Sequence, residues 1–464
     1  MSSSSAERRE RRLNIGDLDR GQALDRSSGT QRGDRPGLLC GGDEIMTITI
    51  TANRDEELTA ADQPGIEGSA INDDIRSMKD AAHCGRDVCG TEFHDVTLRD
   101  GNRIDGRRTT VRSMSETARI RLVVLFGGQS AEHDVSRVTA RHVVAAADPD
   151  RYELVAIGIS RDGTWVHCLI DPTTLGDAIE IVGTTVDPFS ILTTDSVVFP
   201  LLHGPMGEDG TIQGLLELAG VPFVGSAVLG SSLSMDKVMA KQLADAAGFA
   251  QTKWRGLHAR EVDGPAADAA LDALVEELAF PLFVKPANMG SSIGVSKVRE
   301  RSALRAAIDE ALHYDEWIVI EEGVVAREIE VAVLGHTTSP RASVPGEIVP
   351  GADFYDYDDK YSAGVAQLHI PAPLSDSEIT AVRELACRVF RTYRAEGLSR
   401  VDFFYENPGR GWLLNEINTI PGFTPISMYP QMWQASGLPY RALIDELVSL
   451  AMERHATVSR FRGA

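Results

Sequence analysis

The stretch Ser399-Arg-Val-Asp-Phe-Phe-Tyr-Glu-Asn-Pro-Gly-Arg-Gly-Trp-Leu-Leu-Asn-Glu-Ile-Asn-Thr-Ile-Pro-Gly-Phe-Thr-Pro-Ile-Ser427 organises the reading of the whole chain. Two apolar, β-prone runs, 401–405 and 412–417, flank the turn 407–411, which is the pattern of a hairpin. Side chains alternate between faces along a strand, so Arg400 and Asp402 share one face, as do Glu416 and Asn418. Val401, Phe403, Leu413 and Ile417 are expected on the opposite, core-facing side. One face of the hairpin thus gathers two carboxylates, an amide and a guanidinium. Hard oxygen donors of this kind suit Mg²⁺, which keeps several waters and takes substrate phosphates as further ligands. A solvated face with an incidental salt bridge is the plainer reading of two acids. Here, however, the acids follow directly on apolar runs, and Pro421-Gly422 stops the second strand just beyond them. That puts the polar cluster at a strand end, where sites sit.

The chain of 464 residues is long enough for two to four domains. It has no apolar run of membrane-spanning length and no hydrophobic leader, so a soluble, cytoplasmic protein is expected. A net charge of −22 argues against nucleic acid as the main partner, although an anionic small ligand needs only a few placed cations. Five scattered cysteines point to reduced thiols rather than a disulfide framework. Residues 1–118 differ in character: they are rich in Ser, Gly, Asp and Arg, and hold 22 acidic and 17 basic residues, so −17 of the −22 lies in the body. Such a composition buries little, and low order is expected. Cys40, Cys84 and Cys89 fall there, and His83-Cys84 with Cys89 and His94 could form an N/S ligand cluster, at spacings looser than structural zinc sites prefer. Met114 stands just ahead of the first strand-forming run, so either translation is expected to start there or the extension to be dispensable.

In the body, 120–126 reads as a buried strand running into Gly127-Gly-Gln-Ser-Ala-Glu-His-Asp-Val-Ser136 and then a helix to about 147. Strand, glycine-rich turn and helix make a ligand-binding corner, but not the G-x-G-x-x-G dinucleotide fingerprint. Glu132 in that turn could hold an ammonium group or cap the helix, and capping is the more ordinary role. Further strands are expected at 152–159, 196–202 and 221–224, with a helix at 211–219; this alternation argues an α/β layer with a parallel sheet. His203 opens the loop at a strand's C-terminal end, where a lone histidine is more often structural than catalytic. Ser234 is expected to cap the next helix. After a helix at 265–279 and a short strand at 282–285, the loop Ala287-Asn-Met-Gly-Ser-Ser-Ile-Gly294 could wrap phosphates with its amides, and Lys237 and Lys285 supply cations. It lacks the P-loop spacing. Strands at 295–298, 317–320 and 329–334 follow, then a polar, aromatic loop at 351–362, a helix at 377–396, the hairpin, and a helix at about 440–454.

These motifs, taken together, resemble the D-alanine–D-alanine ligases of the ATP-grasp superfamily. The matching segments are G-G-Q-S-A-E-H-D-V-S at 127–136, L-H-G-P-M-G-E-D-G-T-I-Q-G at 202–214, S-M-D-K at 234–237 and V-K-P-A-N-M-G-S-S-I-G at 284–294. F-Y-D-Y-D-D-K-Y at 354–361, R-V-D-F-F at 400–404 and N-E-I-N-T-I-P-G-F-T at 415–424 complete the set. Seven matches in order over some 300 residues are specific, where no single one would be. The resemblance covers about 119–457 and implies an ATP-grasp fold of α/β class, with an N-terminal parallel-sheet domain at 119–225, a central domain at 226–321 and a C-terminal domain from 322 to 464.

The resemblance also implies roles. Lys237, Lys285 and Lys360 would contact the phosphates of ATP, with the Gly290-Ser291-Ser292 loop closing over them. Glu321, the backbone of Val324, and Glu328 would hold the adenosine. Asp402, Glu416 and Asn418 would hold two Mg²⁺ ions; whether Mn²⁺ substitutes or a monovalent cation assists is left open. Glu132 would take the ammonium of the first D-alanine, with His203 nearby, and Ser427 and the backbone of Met428 the carboxylate of the second. Arg400 and the N–H of Gly422 would stabilise the tetrahedral oxyanion, and Ser291 and Tyr361 would link loops over the site. Tyr361 favours an amine as second substrate, since the related D-alanine–D-lactate ligases lack this Lys-Tyr pair. Asp134 and Ala326 depart from the usual Glu and Gly without removing a catalytic group. A homodimer is implied. The rivals are an ATP-grasp ligase using D-lactate or D-serine, and a silent ATP-binding scaffold; the scaffold should have lost metal ligands or the arginine, and all are present.

Overall fold

The computed structural model describes residues 119–171, 175–264, 267–349 and 367–461. The extension 1–118, with its cysteine cluster, and the loop carrying Lys360 and Tyr361 lie outside the described residues.

The first sheet is built on β1 (Ile120–Gly127), whose central residues are fully buried on both faces. It pairs in parallel with β2 (Tyr152–Ile159) on one side. The remaining strands are β3 (Trp165–Cys168), β4 (Gly183–Thr185) and β5 (Ser196–Pro200), in the order β4-β3-β2-β1-β5. The β1–β5 pair is parallel and the β2–β3–β4 edge is antiparallel. The helix His133–Ala146 packs one face of the sheet, as the alternating pattern predicts. Segment 221–224 does not become a full strand: Phe223 makes only an isolated parallel bridge to Val198. Pro222 brings no N–H, so only its carbonyl and the Val224 amide reach β5.

The second sheet comprises β6 (Trp254–His258), β7 (Leu282–Pro286), β8 (Ser296–Val298) and β9 (Trp317–Glu322), antiparallel throughout in the order β6-β9-β7-β8. Helices Ala267–Leu278 and Arg301–Ala311 cover one face with leucine, isoleucine and alanine side chains. The third sheet comprises β10 (Arg327–Gly335), β11 (Arg341–Val349), β12 (Gln367–His369), β13 (Gly397–Glu406) and β14 (Gly411–Asn418), also antiparallel, in the order β12-β11-β10-β13-β14. Helix Asp376–Thr392, opened by a Ser375/Glu378 capping box, packs Val382, Ala386, Val389 and Phe390 against it. The last helix, Tyr440–Phe461, outruns its expected end by seven residues and returns to the first sheet, where the Tyr152 hydroxyl donates to Asp445 at 2.6 Å.

Two local readings change and one strand is additional. Strand β11 carries Pro345 and Gly346 in its interior and shows no strand pattern; the strand tolerates them because the register slips between Val331 and Val333 of β10, beside Pro345. Ser234 is no N-cap: it lies inside helix Val228–Met235 and donates back to the Gly230 carbonyl at 2.7 Å. Asp236 caps helix Lys237–Ala246 instead, accepting from the Met239 N–H at 3.0 Å. Leu413 does not share the face of Phe403 and Ile417, because a β-bulge lies between the Asp402–Glu416 and Phe403–Leu414 pairs. The extra residue, Asn415, shifts the alternation by one, so Leu414 joins the core with Phe403 and Ile417.

Candidate active site

The hairpin register sets the site. Asp402 stands directly opposite Glu416, and Arg400 opposite Asn418. On the other side of β13, Glu330 of β10 pairs with Asp402, and Ala332 with Arg400. Three carboxylates therefore form one cross-strand row, Glu330–Asp402–Glu416, beside a row in which alanine leaves room for an arginine. Like charges directly opposite one another destabilise a sheet. Arg400 answers part of the repulsion. Its Nε and Nη2 donate to the two Asp402 oxygens at 2.8 and 2.7 Å, and its Nε lies 3.1 Å from Glu330. Burial alone would lower the arginine's pKa; Asp402 and Glu330 override it and hold the guanidinium firmly charged. The Asn418 amide donates to Asp402 at 3.0 Å. These four charged groups carry an excess of negative charge, and two carboxylates with an amide are oxygen donors suited to a divalent cation that also takes phosphate and water ligands. Among the described residues no group of three or more His, Cys, Asp or Glu side chains is placed to hold a metal ion.

Lysines gather around a buried glutamate of the second sheet. Glu321, 2% exposed, lies at the end of β9. One carboxylate oxygen meets Lys285 at 3.0 Å, the other Lys241 at 3.1 Å and the Thr252 hydroxyl at 2.9 Å. Burial opposes ionisation of Glu321, but the two ammonium groups prevail and hold its pKa at about 2. Lys241 is lowered by its own burial, which the shared carboxylate only partly offsets. Lys237 Nζ donates to the Met289 carbonyl and its amide to Ala287 at 3.0 Å, fastening the helix start to the 287–294 loop. In that loop Ser291 and Ser292 both adopt left-handed φ values, 49° and 60°. Two successive non-glycine residues in that region store strain, a feature that clusters at ligand clamps.

The two halves are linked through Glu132. It occupies the N-cap position of helix His133–Ala146 yet makes no side-chain cap bond. Its carboxylate instead accepts from the Ser291 hydroxyl, 159 residues away. A Cβ on Gly204 or Gly290 would come within 2.6 or 2.9 Å of the same carboxylate, so a side chain at either position would force that carboxylate to shift. His203 is buried, and burial lowers its pKa despite the nearby Glu132. Its Nδ1 donates to the Ile420 carbonyl at 3.1 Å and its Nε2 meets Thr139 at 3.3 Å. The ring thus ties the first sheet's loop to the strand end before Pro421-Gly422. Glu208 in the same loop accepts from the Gly204 N–H at 3.0 Å, and burial, reinforced by Glu132, pushes its carboxyl up to about 8. Ser427 stands at the N-terminus of helix Met428–Ala435, its hydroxyl 2.8 Å from that of Thr424 and accepting from the Thr424 N–H at 3.1 Å. A helix N-terminus with a hydroxyl beside it suits a carboxylate. The Gly422 Cα lies close by, since a Cβ there would sit 3.2 Å from the Ser427 hydroxyl.

Of the residues singled out in the sequence, Arg400, Asp402, Glu416 and Asn418 meet on one sheet face, Lys285 meets Glu321, Lys237 meets the 287–294 loop, and Ser291 meets Glu132. Glu328 lies on β10 opposite Phe404, one row from Glu330, and Val324 lies in the β9–β10 connection. Lys360 and Tyr361 are outside the described residues. Glu330, Lys241 and Glu208 escaped the sequence reading. Lys241 follows Lys237 by one helical turn, and Glu330 lies two residues beyond Glu328 on the same strand face; either spacing could have flagged them.

Two antiparallel sheets, one bringing Lys285 and a buried glutamate and the other carboxylates and an arginine, next to a parallel-sheet domain, make up an ATP-grasp enzyme. A family model described as D-ala D-ala ligase N-terminus matches residues 121–226, and one described as D-ala D-ala ligase C-terminus matches 243–449. The chain belongs to the D-alanine–D-alanine ligase family. It is 44% identical over 352 residues to the D-alanine–D-alanine ligase of Geobacillus thermodenitrificans, covering 72% of this chain and 96% of the relative. It is 45% identical over 352 residues to that of Bacillus licheniformis, with the same coverage. Among solved structures, the D-alanine–D-alanine ligase from Coxiella burnetii is 33% identical with a TM-score of 0.62, covering 74% of this chain and 97% of that one. The VanG D-Ala:D-Ser ligase from Enterococcus faecalis is 32% identical with a TM-score of 0.61, covering 72% and 99%.

Proposed function

We propose that this protein joins two D-alanines into D-alanyl-D-alanine at the expense of ATP, for peptidoglycan precursor synthesis. A carboxylate is a poor acyl donor because its oxygen leaves poorly. Transfer of the γ-phosphoryl group from ATP to the carboxylate of the first D-alanine gives D-alanyl phosphate and ADP. The amine of the second D-alanine then attacks the acyl carbon, and phosphate leaves. In this reading Glu132 orients the first ammonium, Lys237 and Lys285 lie along the phosphates, and Ser292 with the rest of its loop covers them. Glu321, Val324 and Glu328 receive the adenosine. Arg400 and the Gly422 N–H face the developing oxyanion, and Ser427 and Met428 take the second carboxylate. A bound Mg²⁺ or Mn²⁺, held by Asp402, Glu416 and Asn418, would supply charge neutralisation for the transferring phosphoryl group. The domains of this reading are 119–225, 226–321 and 322–464, and the protein acts in the cytoplasm as a homodimer. Among the described residues no helix is long and apolar enough to cross a membrane.

The observation that carries the proposal is the Glu132–Ser291 bond. It joins the turn expected to hold the first substrate to the loop expected to cover the phosphates, which is where an acyl phosphate needs both. The test is ADP release and dipeptide formation by the purified protein with ATP, Mg²⁺ and D-alanine, with D-lactate or D-serine added in parallel. D-Ala–D-Ala from D-alanine alone, little changed by either competitor, is the expected result. ADP release that required D-serine or D-lactate would overturn the second-substrate assignment, a live contrast because a D-Ala:D-Ser ligase shares the fold. Light scattering on a sizing column reads the homodimer directly.

A further inference from the structure

We infer that Glu330 is a positioning residue that keeps Arg400 in place when a divalent cation draws Asp402 away from it. The inference rests on the metal assignment proposed above for Asp402, Glu416 and Asn418. Glu330 is 6% exposed and stands in register with Asp402 on the neighbouring strand. Arg400 is shared between them: both Asp402 oxygens accept from it, and Glu330 lies 3.1 Å from its Nε. The same aspartate thus has two calls on it. As a metal ligand it must turn at least one oxygen toward the cation, which weakens the forked pair with Arg400. Without Glu330 the arginine would be left with the field of Glu416, itself a proposed metal ligand, and would either follow the aspartate, opposing metal binding, or swing away from the oxyanion position. Glu330 removes that conflict. It offers the guanidinium a second carboxylate from a strand that carries none of the proposed metal ligands. This accounts for a feature that sheet energetics disfavours, a third carboxylate placed in line with two others. Ala332, opposite Arg400, brings no charge of its own.

The experiment is a double-variant cycle read by Mn²⁺ binding in the presence of ADP, followed by electron paramagnetic resonance. Glu330→Gln keeps the size of the side chain and removes its charge. Arg400 then clings to Asp402, and Mn²⁺ binding weakens by roughly tenfold, the equivalent of a single charge-pair coupling. In an Arg400→Gln background the same change has little effect, because no arginine competes for the aspartate. A loss of equal size in both backgrounds would mean that Glu330 acts only through its field at the metal, and would overturn the positioning role. Unchanged binding on Glu330→Gln alone would overturn it as well. Mn²⁺ binding by the wild type no better than by Glu416→Gln would overturn the metal assignment itself, and the inference with it. Glu330→Asp retains the charge one methylene shorter and is expected to fall between wild type and Glu330→Gln, which guards against a variant that merely folds poorly.

Discussion

At the scale of single residues, the site is a set of charges that would be unfavourable anywhere else. Glu416 faces Asp402 across the hairpin, a pairing of like charges that costs the sheet stability. Glu416→Gln is expected to leave the fold intact and to cut turnover by more than the roughly 10–100-fold typical of groups that only support a metal ligand; near-normal turnover would refute the metal assignment. Ser291 donates to a carboxylate, a bond on the order of 1.5–3 kcal/mol when intact. Ser291→Ala should loosen the loop over the site and let water reach the acyl phosphate, so ADP release should outrun dipeptide formation. A one-to-one ratio in that variant would count against the linking role. Glu321 carries a prediction about pH. Its folded pKa, about 2, lies below the ordinary glutamate value, so its ion pairs stabilise the fold above about pH 4.5 and are lost as pH falls toward 2. The stability difference between wild type and Glu321→Gln, followed by denaturant unfolding, should therefore shrink across that window. A difference that stayed constant would show that the lysines do not depress it.

At the scale of elements, close approaches explain several small residues. Gly230 sits in helix Val228–Met235, where a Cβ would stand 2.6 Å from the Arg394 carbonyl, a backbone atom with little freedom to retreat. Gly230→Ala should cost about 1–3 kcal/mol through overpacking, seen as a lower melting temperature despite alanine's better helix propensity. A melting temperature at or above wild type would mean the two segments can separate freely. The bulge at Asn415 is the other decisive local device. It lets Leu414 serve the core while Asp402 and Glu416 remain paired on the site face.

At the scale of the whole molecule, the working parts lie far apart in sequence and meet through a few contacts. Glu132 reaches Ser291, His203 reaches Ile420, and Tyr152 reaches Asp445. The family matches run from 121 to 226 and from 243 to 449. A chain starting at Met114 is therefore expected to retain turnover and melting temperature, checked by assaying the two forms side by side. Loss of activity on that truncation would assign residues 1–113 a part in catalysis.

What the sequence determined by itself was local and periodic. The hairpin, the parallel strands with their intervening helices, and the oxygen-rich face of 400–418 follow from side-chain alternation, turn chemistry and residue type, all of which act over a few neighbours. The motif resemblance added the order in which these parts work together. Tertiary structure decided what depends on distant partners. Strand β11 forms around an interior proline because β10 slips its register beside it. Glu132 forgoes capping its own helix because Ser291 is within reach. Leu413 changes face because one extra residue is accommodated in the ladder. Glu330 and Lys241 acquired meaning only when the sheets placed them against Arg400 and Glu321. A lone acid or lysine in a sequence carries no sign of its partner, since electrostatic pairing is set by separation in space and by exclusion of water, neither of which periodicity encodes.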